Sequence, residues 1–549
     1  MISGEEKMKP ISELDLGFRD AENYRRRENR EFFNQIFLRT PELEMLSKPN
    51  VFFLIGEKGT GKTAYAIYMS NTGYKDILAS TKYIRETDYL KFLSLKKERQ
   101  LGLSDYMSIW KVIIYLLLAQ QIRSNEKSIL FKGLSLFDKL GSAIDDFYNN
   151  AFSPEIINAI QFAEDASVSA KLIADYTEKG GNGKSSLNFS ENNFQVNLMY
   201  IQRHFEDAFR SLKLKKDQIL FIDGIDIRPS SIDYVTYIES IKGLANAVWA
   251  VNNDFFANIK DSKGRMRVVL LVRPDIFNSL GLQNQNSKVR DNSVILNWIT
   301  NYADYRTSPL FLMADRLLGY QQDSKYPPGA VWNYYFPYDA RNVRDALPSP
   351  TSFIYFIRYS LYHPRNILAI LSIQKENFLE MGRKSNDVFR LEDFTNPSFT
   401  KKFSDYVLGE VKDHISFYYD AGDYESLLKF FQYLNGKSMF SYQEFNQAFE
   451  KYIVFLKNNA FHIPEFCSTS DKLLQFLYDL NIMGYIVETN DPHHPFFSWV
   501  NRERNPSNIA PKVRTHVNYE IHFGLMKALD LGMLFKIEDN QWDSNHQEW

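Results

Sequence analysis

One stretch, Gly56–Thr63, constrains the fold of this chain more than any other. It reads Gly-Glu-Lys-Gly-Thr-Gly-Lys-Thr, and it lies between the apolar runs Val51–Ile55 and Ala64–Met69. The order of strand, glycine-rich loop and helix fits G-x-x-x-x-G-K-[ST] at every fixed position. Glycines let backbone N–H groups close around phosphate oxygens, and the helix N-terminus adds partial positive charge. The stretch predicts a nucleoside triphosphate site in an α/β fold with a parallel sheet flanked by helices.

Each residue of this loop is a candidate phosphate ligand through its backbone or side chain. Lys62 is expected to reach the β- and γ-phosphates, and the Thr63 hydroxyl is expected to bind Mg²⁺. The residues leave ATP and GTP open, because no guanine-reading N/T-K-x-D pattern stands out. The expected ligands are Gly56, Glu57, Lys58, Gly59, Thr60, Gly61, Lys62 and Thr63.

A second candidate motif is the apolar strand that begins at Gln218 and ends in acids. Its continuous apolar character is typical of a buried parallel strand. Asp223, at the carboxyl end, is expected to join Thr63 in binding magnesium. Asp226 is a candidate to orient or deprotonate the attacking water. The alternative for Asp226 is a turn or helix-capping role.

Two arginines are candidates for contact with the phosphates. The apolar strand Arg267–Val272 leads into Arg273, which either senses the γ-phosphate or forms a structural salt bridge. Arg365 follows Pro364 at an expected helix start and is placed to reach back across a nucleotide cleft. His363 has no evident metal partner and is expected to pack or to cap. An arginine finger is not located by spacing, and the candidates are Arg290, Arg306 and Arg316.

The length of 549 residues predicts about three or four domains. We expect a helical lead-in at 1–50 and a nucleotide-binding core at 51–320 with a helical insertion at about 96–200. A linker and helical lid follow at 321–404, and a winged-helix-like domain and tail at 405–549. Residues 105–122 predict an apolar helix, and 298–302 resemble a helical segment. A second glycine-rich stretch, Gly180–Ser186, fails as a phosphate loop because Glu178 stands where the first glycine is required.

The predicted winged-helix region has helices at 423–434, 443–456 and 470–480 and short strands at 438–441, 484–488 and 496–500. Such a module can place a helix in a DNA groove. Its third helix is a poor basic surface, since it carries Asp471, Lys472, Gln475 and Asp479, so we favour a protein-contact or lid role. The basic cluster near the wing is Arg502, Arg504, Lys512 and Arg514.

Composition excludes several classes of protein. Hydrophobic residues make up 44% and aromatic residues 15%, enough for large cores, and the net charge of −2 argues against a surface that is basic throughout. A single cysteine, Cys467, excludes an internal disulfide framework and fits a reducing cytoplasm. The longest apolar helical run, Val112–Ala119, is far shorter than the roughly 20 residues that span a bilayer. We therefore expect a cytoplasmic protein with no membrane partner.

Taken together, these motifs resemble the AAA+/STAND branch of P-loop ATPases, and within it a bacterial family of stand-alone ATPases associated with phage defence. The resemblance rests on the loop, the acids from Asp223 to Asp226, Arg273, and Pro364 with Arg365, in that order. It implies ATP and Mg²⁺ as cofactors, sensor roles for Arg273 and Arg365, and a Walker B role for Asp226. AAA+ members usually carry a glutamate after the Walker B aspartate. This chain has Gly224 there, which implies slow hydrolysis.

Three functions remain open from the sequence. The first is an ATP-driven molecular switch, oligomeric and acting with a separate effector protein, in antiviral defence as the resemblance implies. The second is a DNA-binding ATPase of the origin-binding or loader type. The third is a scaffold that binds ATP without turnover.

Overall fold

The computed structural model describes residues 8–84, 103–126, 139–144, 191–229, 232–260, 262–341, 347–384, 387–487, 496–532, 537–538 and 541–542. The chain divides into two compact units. One, the sheet unit, comprises Pro41–Gly56 and Lys62–Ile295. The other, the second unit, comprises Met1–Thr40, Glu57–Gly61 and Leu296–Trp549. Most of the predicted insertion at 96–200, and the stretch Gly180–Ser186, lie outside the described residues.

The sheet unit is built on five parallel strands, which are β1 (Phe53–Ile55), β2 (Leu78–Tyr83), β3 (Gln218–Asp223), β4 (Met266–Val272) and β5 (Ser293–Ile295). Their order across the sheet is β2-β3-β4-β1-β5. This confirms the predicted α/β class with a parallel sheet. The register pairs Ile55 with Val272 and Ile222 with Leu270. The carboxyl ends of β1, β3 and β4 therefore meet at one edge of the sheet.

Strands β3 and β4 show why these two strands could be predicted from their continuous apolar sequences. Every residue of β3 and of β4 is buried, as expected for parallel strands covered on both faces. Strand β2 begins at Leu78 and is partly exposed along most of its length. The edge strand β5 was not predicted.

Helices cover the sheet. The apolar helix predicted at 105–122 is confirmed as α4 (Leu103–Glu126), which packs against α5 (Glu191–Ser211) and α6 (Tyr234–Ala250). Helix α3 (Lys62–Thr72) packs against β2. Helices α2 to α8 belong to the sheet unit and the others to the second unit. The α-helices with described bounds are, in chain order, α1 (Arg27–Ile36), α2 (Pro41–Leu46), α3 (Lys62–Thr72), α4 (Leu103–Glu126), α5 (Glu191–Ser211), α6 (Tyr234–Ala250), α7 (Pro274–Ser279), α8 (Gln285–Asn292), α9 (Pro309–Gly319), α10 (Ala330–Tyr335), α11 (Phe353–Tyr359), α12 (Pro364–Glu380), α13 (Leu391–Thr395), α14 (Pro397–Ile415), α15 (Ala421–Gln432), α16 (Tyr442–Asn458), α17 (Ser470–Asp479) and α18 (Val500–Glu503).

The second unit contains a four-stranded antiparallel sheet in the order β6-β9-β7-β8. Three of its strands were predicted, and the fourth, β9, was not. Strand β9 is central: Tyr519 pairs with Phe440 on one side and with Tyr485 on the other. The strands are β6 (Met439–Ser441), β7 (Met483–Val487), β8 (Phe496–Ser498) and β9 (Asn518–Ile521), and a separate hairpin is formed by β10 (Ile537–Glu538) and β11 (Gln541–Trp542).

The helices predicted in the C-terminal part are present as α15, α16 and α17, with ends shifted by a few residues. The helix predicted at 298–302 is wrong, since those residues lie in a loop. Across the described ranges, the structure contains no helix that is both long and apolar enough to cross a membrane.

Candidate functional site

In the sheet unit, the predicted magnesium ligands lie together. The Thr63 hydroxyl, at the start of α3, donates a hydrogen bond of 2.6 Å to Asp223 Oδ2 at the end of β3. Lys62 is 8% exposed, and its Nζ donates to the carbonyl of Gly56 at 2.8 Å. The strand–loop–helix order places Lys62 and Thr63 at the helix N-terminus, beside the carboxyl ends of the central strands. The sequence predicted this placement.

Asp223 sits in an environment that penalises its negative charge. Burial raises the pKa of its carboxyl to about 6, and the nearby charge of Asp226 adds to the rise. The hydrogen bond from Thr63 and the positive charge of Lys62 act in the opposite direction and lower the pKa of Asp223. A hydroxyl and a carboxylate held together supply the oxygen ligands that Mg²⁺ takes from such sites, with phosphates and water completing its shell. These residues therefore fit the metal that the motif implies.

Gly224 follows Asp223, at the position where the sequence resemblance leads one to expect a glutamate. Its φ is +89°, and a Cβ at this position would lie 2.6 Å from the carbonyl oxygen of Ile84. The Ile84 amide also donates to the Asp223 carbonyl at 2.9 Å. Because backbone occupies the space of a side chain, the glycine is a requirement of the local fold.

Asp226 lies in the loop after β3 and is partly exposed. Tyr237 in α6 fixes this loop, since its hydroxyl donates to the carbonyls of Ile225 at 3.0 Å and Ile227 at 2.9 Å. The side chain of Asp226 is close enough to Asp223 to raise the pKa of that carboxyl. The two acids therefore share one electrostatic environment.

Arg273 directly follows β4 and is 1% exposed. Its guanidinium donates to both carboxylate oxygens of Asp275, from Nε at 3.1 Å and from Nη2 at 2.7 Å. Of the two sequence interpretations, the structural salt bridge is the one present in the structure. Strand β4 does lie beside β3, as the sensing interpretation requires.

In the second unit, Glu57 of the glycine-rich loop is held by residues from distant parts of the chain. Arg504 Nη1 forms an ion pair with Glu57 Oε1. His363 Nε2 lies 3.3 Å from Glu57 Oε2, and Asn481 Nδ2 donates to the same oxygen at 3.1 Å. Burial by itself raises the pKa of Glu57, but Arg504 and His363 outweigh it and lower the pKa to about 2. Glu57 is therefore an ionised, largely buried carboxylate.

Three further loop residues have partners in the second unit. Lys58 Nζ lies 2.7 Å from Asp413 Oδ2. The backbone N–H of Arg365 donates to the Gly59 carbonyl at 3.3 Å. The Trp298 indole donates to the Thr60 carbonyl at 2.9 Å. These partners were not predicted for the loop, and only Arg365 had a signal, from the proline that begins its helix.

The loop backbone has the conformation that its glycines allow. Gly59 and Gly61 have φ values of +88° and +95°. A Cβ on Gly59 would lie 3.1 Å from the Cβ of Arg365. The Thr60 N–H and hydroxyl both donate to the Glu57 carbonyl, at 3.2 and 2.8 Å. Left-handed conformations at glycines turn successive amides into a concave anion-binding surface.

The remaining arginine candidates are engaged by neighbouring groups. Arg306 donates to the Pro350 carbonyl at 2.6 Å, and Arg316 donates to the Gln35 carbonyl at 2.8 Å. Arg290 is exposed beside Asp291. In the predicted wing, Arg502 lies over the Tyr362 ring and donates to the Phe497 carbonyl.

Among the described residues, no group of three or more His, Cys, Asp or Glu side chains is arranged to hold a metal ion without other ligands. A comparison with models of known protein families and a search of curated proteins both gave no match.

Proposed function

We propose that this protein binds ATP with Mg²⁺ at Gly56–Thr63 and hydrolyses it slowly. The observation that carries the proposal is the 2.6 Å hydrogen bond between Thr63 and Asp223, at the carboxyl end of a buried parallel strand. A chance glycine-rich turn has no reason to bring a loop hydroxyl and a strand-end carboxylate together. The positive φ values of Gly59 and Gly61 support the same function.

The roles follow from position. Lys62 exchanges its bond to the Gly56 carbonyl for phosphate oxygens, and the loop amides bind the same anion. Thr63 and Asp223 would hold Mg²⁺, which neutralises charge on the phosphates. Asp226 would orient or deprotonate the attacking water. The absence of a side chain at residue 224 supports slow turnover.

The test is binding and turnover of ATP with magnesium. Wild type is expected to bind a fluorescent ATP analogue, and Lys62→Ala is expected to lose measurable binding. Lys215→Ala, which alters an exposed lysine of the same unit, is the matched control and should bind as wild type does. Normal binding by Lys62→Ala would reject the site. Equal, background phosphate release from wild type and Asp226→Ala would reject the catalytic role of Asp226.

We further propose that nucleotide binding acts as a switch that controls oligomerisation or contact with a separate effector protein, in a defence role. Support comes from the family resemblance and from the contacts that Arg504 and Trp298 make with the loop residues Glu57 and Thr60. Light scattering with and without a slowly hydrolysed ATP analogue tests it. A mass and a partner affinity that do not change with nucleotide would reject the switch but not the ATP site.

A further inference from the structure

We propose that Arg504 is a positioning residue for the nucleotide loop: it neutralises Glu57 and, with His363 and Asn481, fixes the loop in the form that receives phosphates. This inference rests on the proposed function. It assigns a role in nucleotide binding to a residue near the C-terminal sheet, 447 positions along the chain from Glu57. It also couples that region thermodynamically to the nucleotide.

The first step is the charge of Glu57. This carboxylate is the second residue of the eight-residue motif, and its side chain is only 13% exposed. A negative charge within a phosphate-binding loop repels the ligand, and it is screened poorly when it is buried. Arg504, itself 8% exposed, supplies the compensating charge. Removing one partner of such a pair leaves an uncompensated buried charge, which is strongly unfavourable.

The second step is geometry. Both carboxylate oxygens of Glu57 have partners, Arg504 on Oε1 and His363 and Asn481 on Oε2. Asn481 is oriented in turn, since its Oδ1 accepts the backbone N–H of Asn501 at 3.2 Å. The Glu57 carbonyl then receives both hydrogen bonds from Thr60. The side-chain contacts at Glu57 therefore restrain the backbone turn that the phosphate meets.

The third step is the consequence for binding. A loop that is ordered before the ligand arrives loses less conformational entropy on binding, so its affinity is higher. Linkage requires the reverse effect as well: a bound nucleotide must strengthen the hold of Arg504, His363 and Asn481 on the loop. The affinity of the loop for ATP and the stability of these contacts are two measurements of one coupling.

The experiment compares the full-length protein with Arg504→Gln, Glu57→Gln and the double variant. The probe is a fluorescent ATP analogue with magnesium. Arg504→Gln is expected to weaken binding by about 5- to 150-fold, the usual range of such couplings. The double variant should recover most of that loss, because removal of the Glu57 charge removes the uncompensated repulsion. Arg514→Gln, an exposed arginine near the same sheet that lies over Tyr485, is the control and should bind as wild type does.

A second readout separates positioning from general stability. Hydrogen exchange of the backbone amides at 481 and 500–504 should slow when the analogue binds wild type, and should not respond in Arg504→Gln. If Arg504→Gln fails to fold, Glu57→Gln and the double variant still carry the comparison. Unchanged affinity in Arg504→Gln, or a double variant no better than Arg504→Gln, overturns this inference alone. A wild type that does not bind the analogue overturns the proposed function as well.

Discussion

At the scale of single residues, Gly224 shows how the local backbone limits the side chains that a position can accept. Its φ of +89°, and the Ile84 carbonyl oxygen only 2.6 Å from where a Cβ would lie, leave no room for a side chain. We predict that Gly224→Ala lowers the free energy of unfolding by about 2–4 kcal/mol, from backbone strain and the clash together. Gly224→Glu should likewise destabilise the protein and should not speed hydrolysis.

Gly382→Ala is the matched control for Gly224→Ala in chemical denaturation. Gly382 also has a positive φ, +62°, but no atom of the described residues lies within 4 Å of the added Cβ. Gly382→Ala should lower the free energy of unfolding by about 1 kcal/mol, from backbone strain alone. If Gly224→Ala lowered the free energy of unfolding no more than Gly382→Ala does, backbone crowding would not explain why residue 224 is a glycine.

A second residue-scale prediction concerns Glu520 in the antiparallel sheet. Its side chain is 5% exposed, and among the described residues its Oε2 has no hydrogen-bond partner. Burial raises the pKa of this carboxyl to about 7. A pKa raised in the folded state gives stability that is complete below the unfolded pKa, near 4.3, and is lost as pH rises through 7.

Glu520→Gln should therefore be more stable than wild type at pH 8, by up to about 3 kcal/mol, with the difference shrinking as pH falls toward 4.5. Urea unfolding of the two proteins at pH 5 and at pH 8 measures this difference. His522, whose pKa burial lowers to about 3, titrates in both proteins and cancels in the difference. The exposed Glu425→Gln is the control. A difference that is the same at pH 5 and pH 8 would contradict the prediction.

Part of the candidate site could be predicted from the sequence and part could not. Lys62, Thr63 and Asp223 were predictable because each lies at a fixed step from the end of an apolar strand, and strand ends meet in a parallel sheet. The partners of Glu57 were not, because no local pattern connects Glu57 with Asn481 and Arg504, 424 and 447 positions away. Their pairing depends on tertiary packing alone.

At the scale of elements, the side chain of Asn252 supplies hydrogen bonds to strand β4 where the neighbouring strand β1 is too short to do so. Strand β1 begins at Phe53, which pairs with Leu270, so it does not reach the first residues of β4. There the Asn252 side chain takes its place: Nδ2 donates to the Val268 carbonyl at 2.7 Å, and Oδ1 accepts the Val268 N–H at 2.9 Å. Asn252 lies in a turn of π-helix, Val251–Phe255, directly after α6.

We predict that Asn252→Ala destabilises the protein by about 2–4 kcal/mol, since it leaves a buried backbone N–H and carbonyl without partners. The neighbouring Asn253→Ala is the matched control, because Asn253 is exposed and its amide donates to Asp254. Thermal and urea unfolding should separate the two variants clearly. Similar losses of stability in Asn252→Ala and Asn253→Ala would show that the sheet does not depend on the Asn252 amide.

The elements predicted most clearly from the sequence are those that are apolar along their length. Strands β3 and β4 and helix α4 are apolar over many residues, so their pattern is unambiguous. Strand β9 is short and follows a polar stretch, and its sequence Asn-Tyr-Glu-Ile carries the buried Glu520. A charged residue at a core position contradicts the usual strand pattern. Burial of that carboxyl is therefore why this central strand was not recognised.

At the scale of the whole molecule, the glycine-rich loop is divided by its contacts. Gly56 and Lys62–Thr63 belong to the sheet unit, whereas Glu57–Gly61 belong to the second unit. The division expected from the sequence assigns the whole loop to the nucleotide-binding core at 51–320, because it uses consecutive residues only.

The last prediction concerns DNA, the partner of the alternative function. Of the four basic residues that suggested it, Arg504 is paired with Glu57, and Arg502 is engaged by Tyr362 and the Phe497 carbonyl. Lys512 and Arg514 remain exposed. Two phosphate contacts give a slope of log affinity against log salt of about −2, and affinity that weak is lost at physiological salt.

A salt titration of a fluorescent duplex measures that slope. Wild type should bind weakly at low salt, and charge reversal by Lys512→Glu with Arg514→Glu should abolish the remaining binding. Reversal of the exposed Lys215, in the sheet unit, is the control and should have no effect. Tight binding with a slope steeper than about −4 would require more phosphate contacts than this surface offers. It would favour the DNA-binding alternative through a different basic surface, since Arg504 cannot bind both Glu57 and a phosphate.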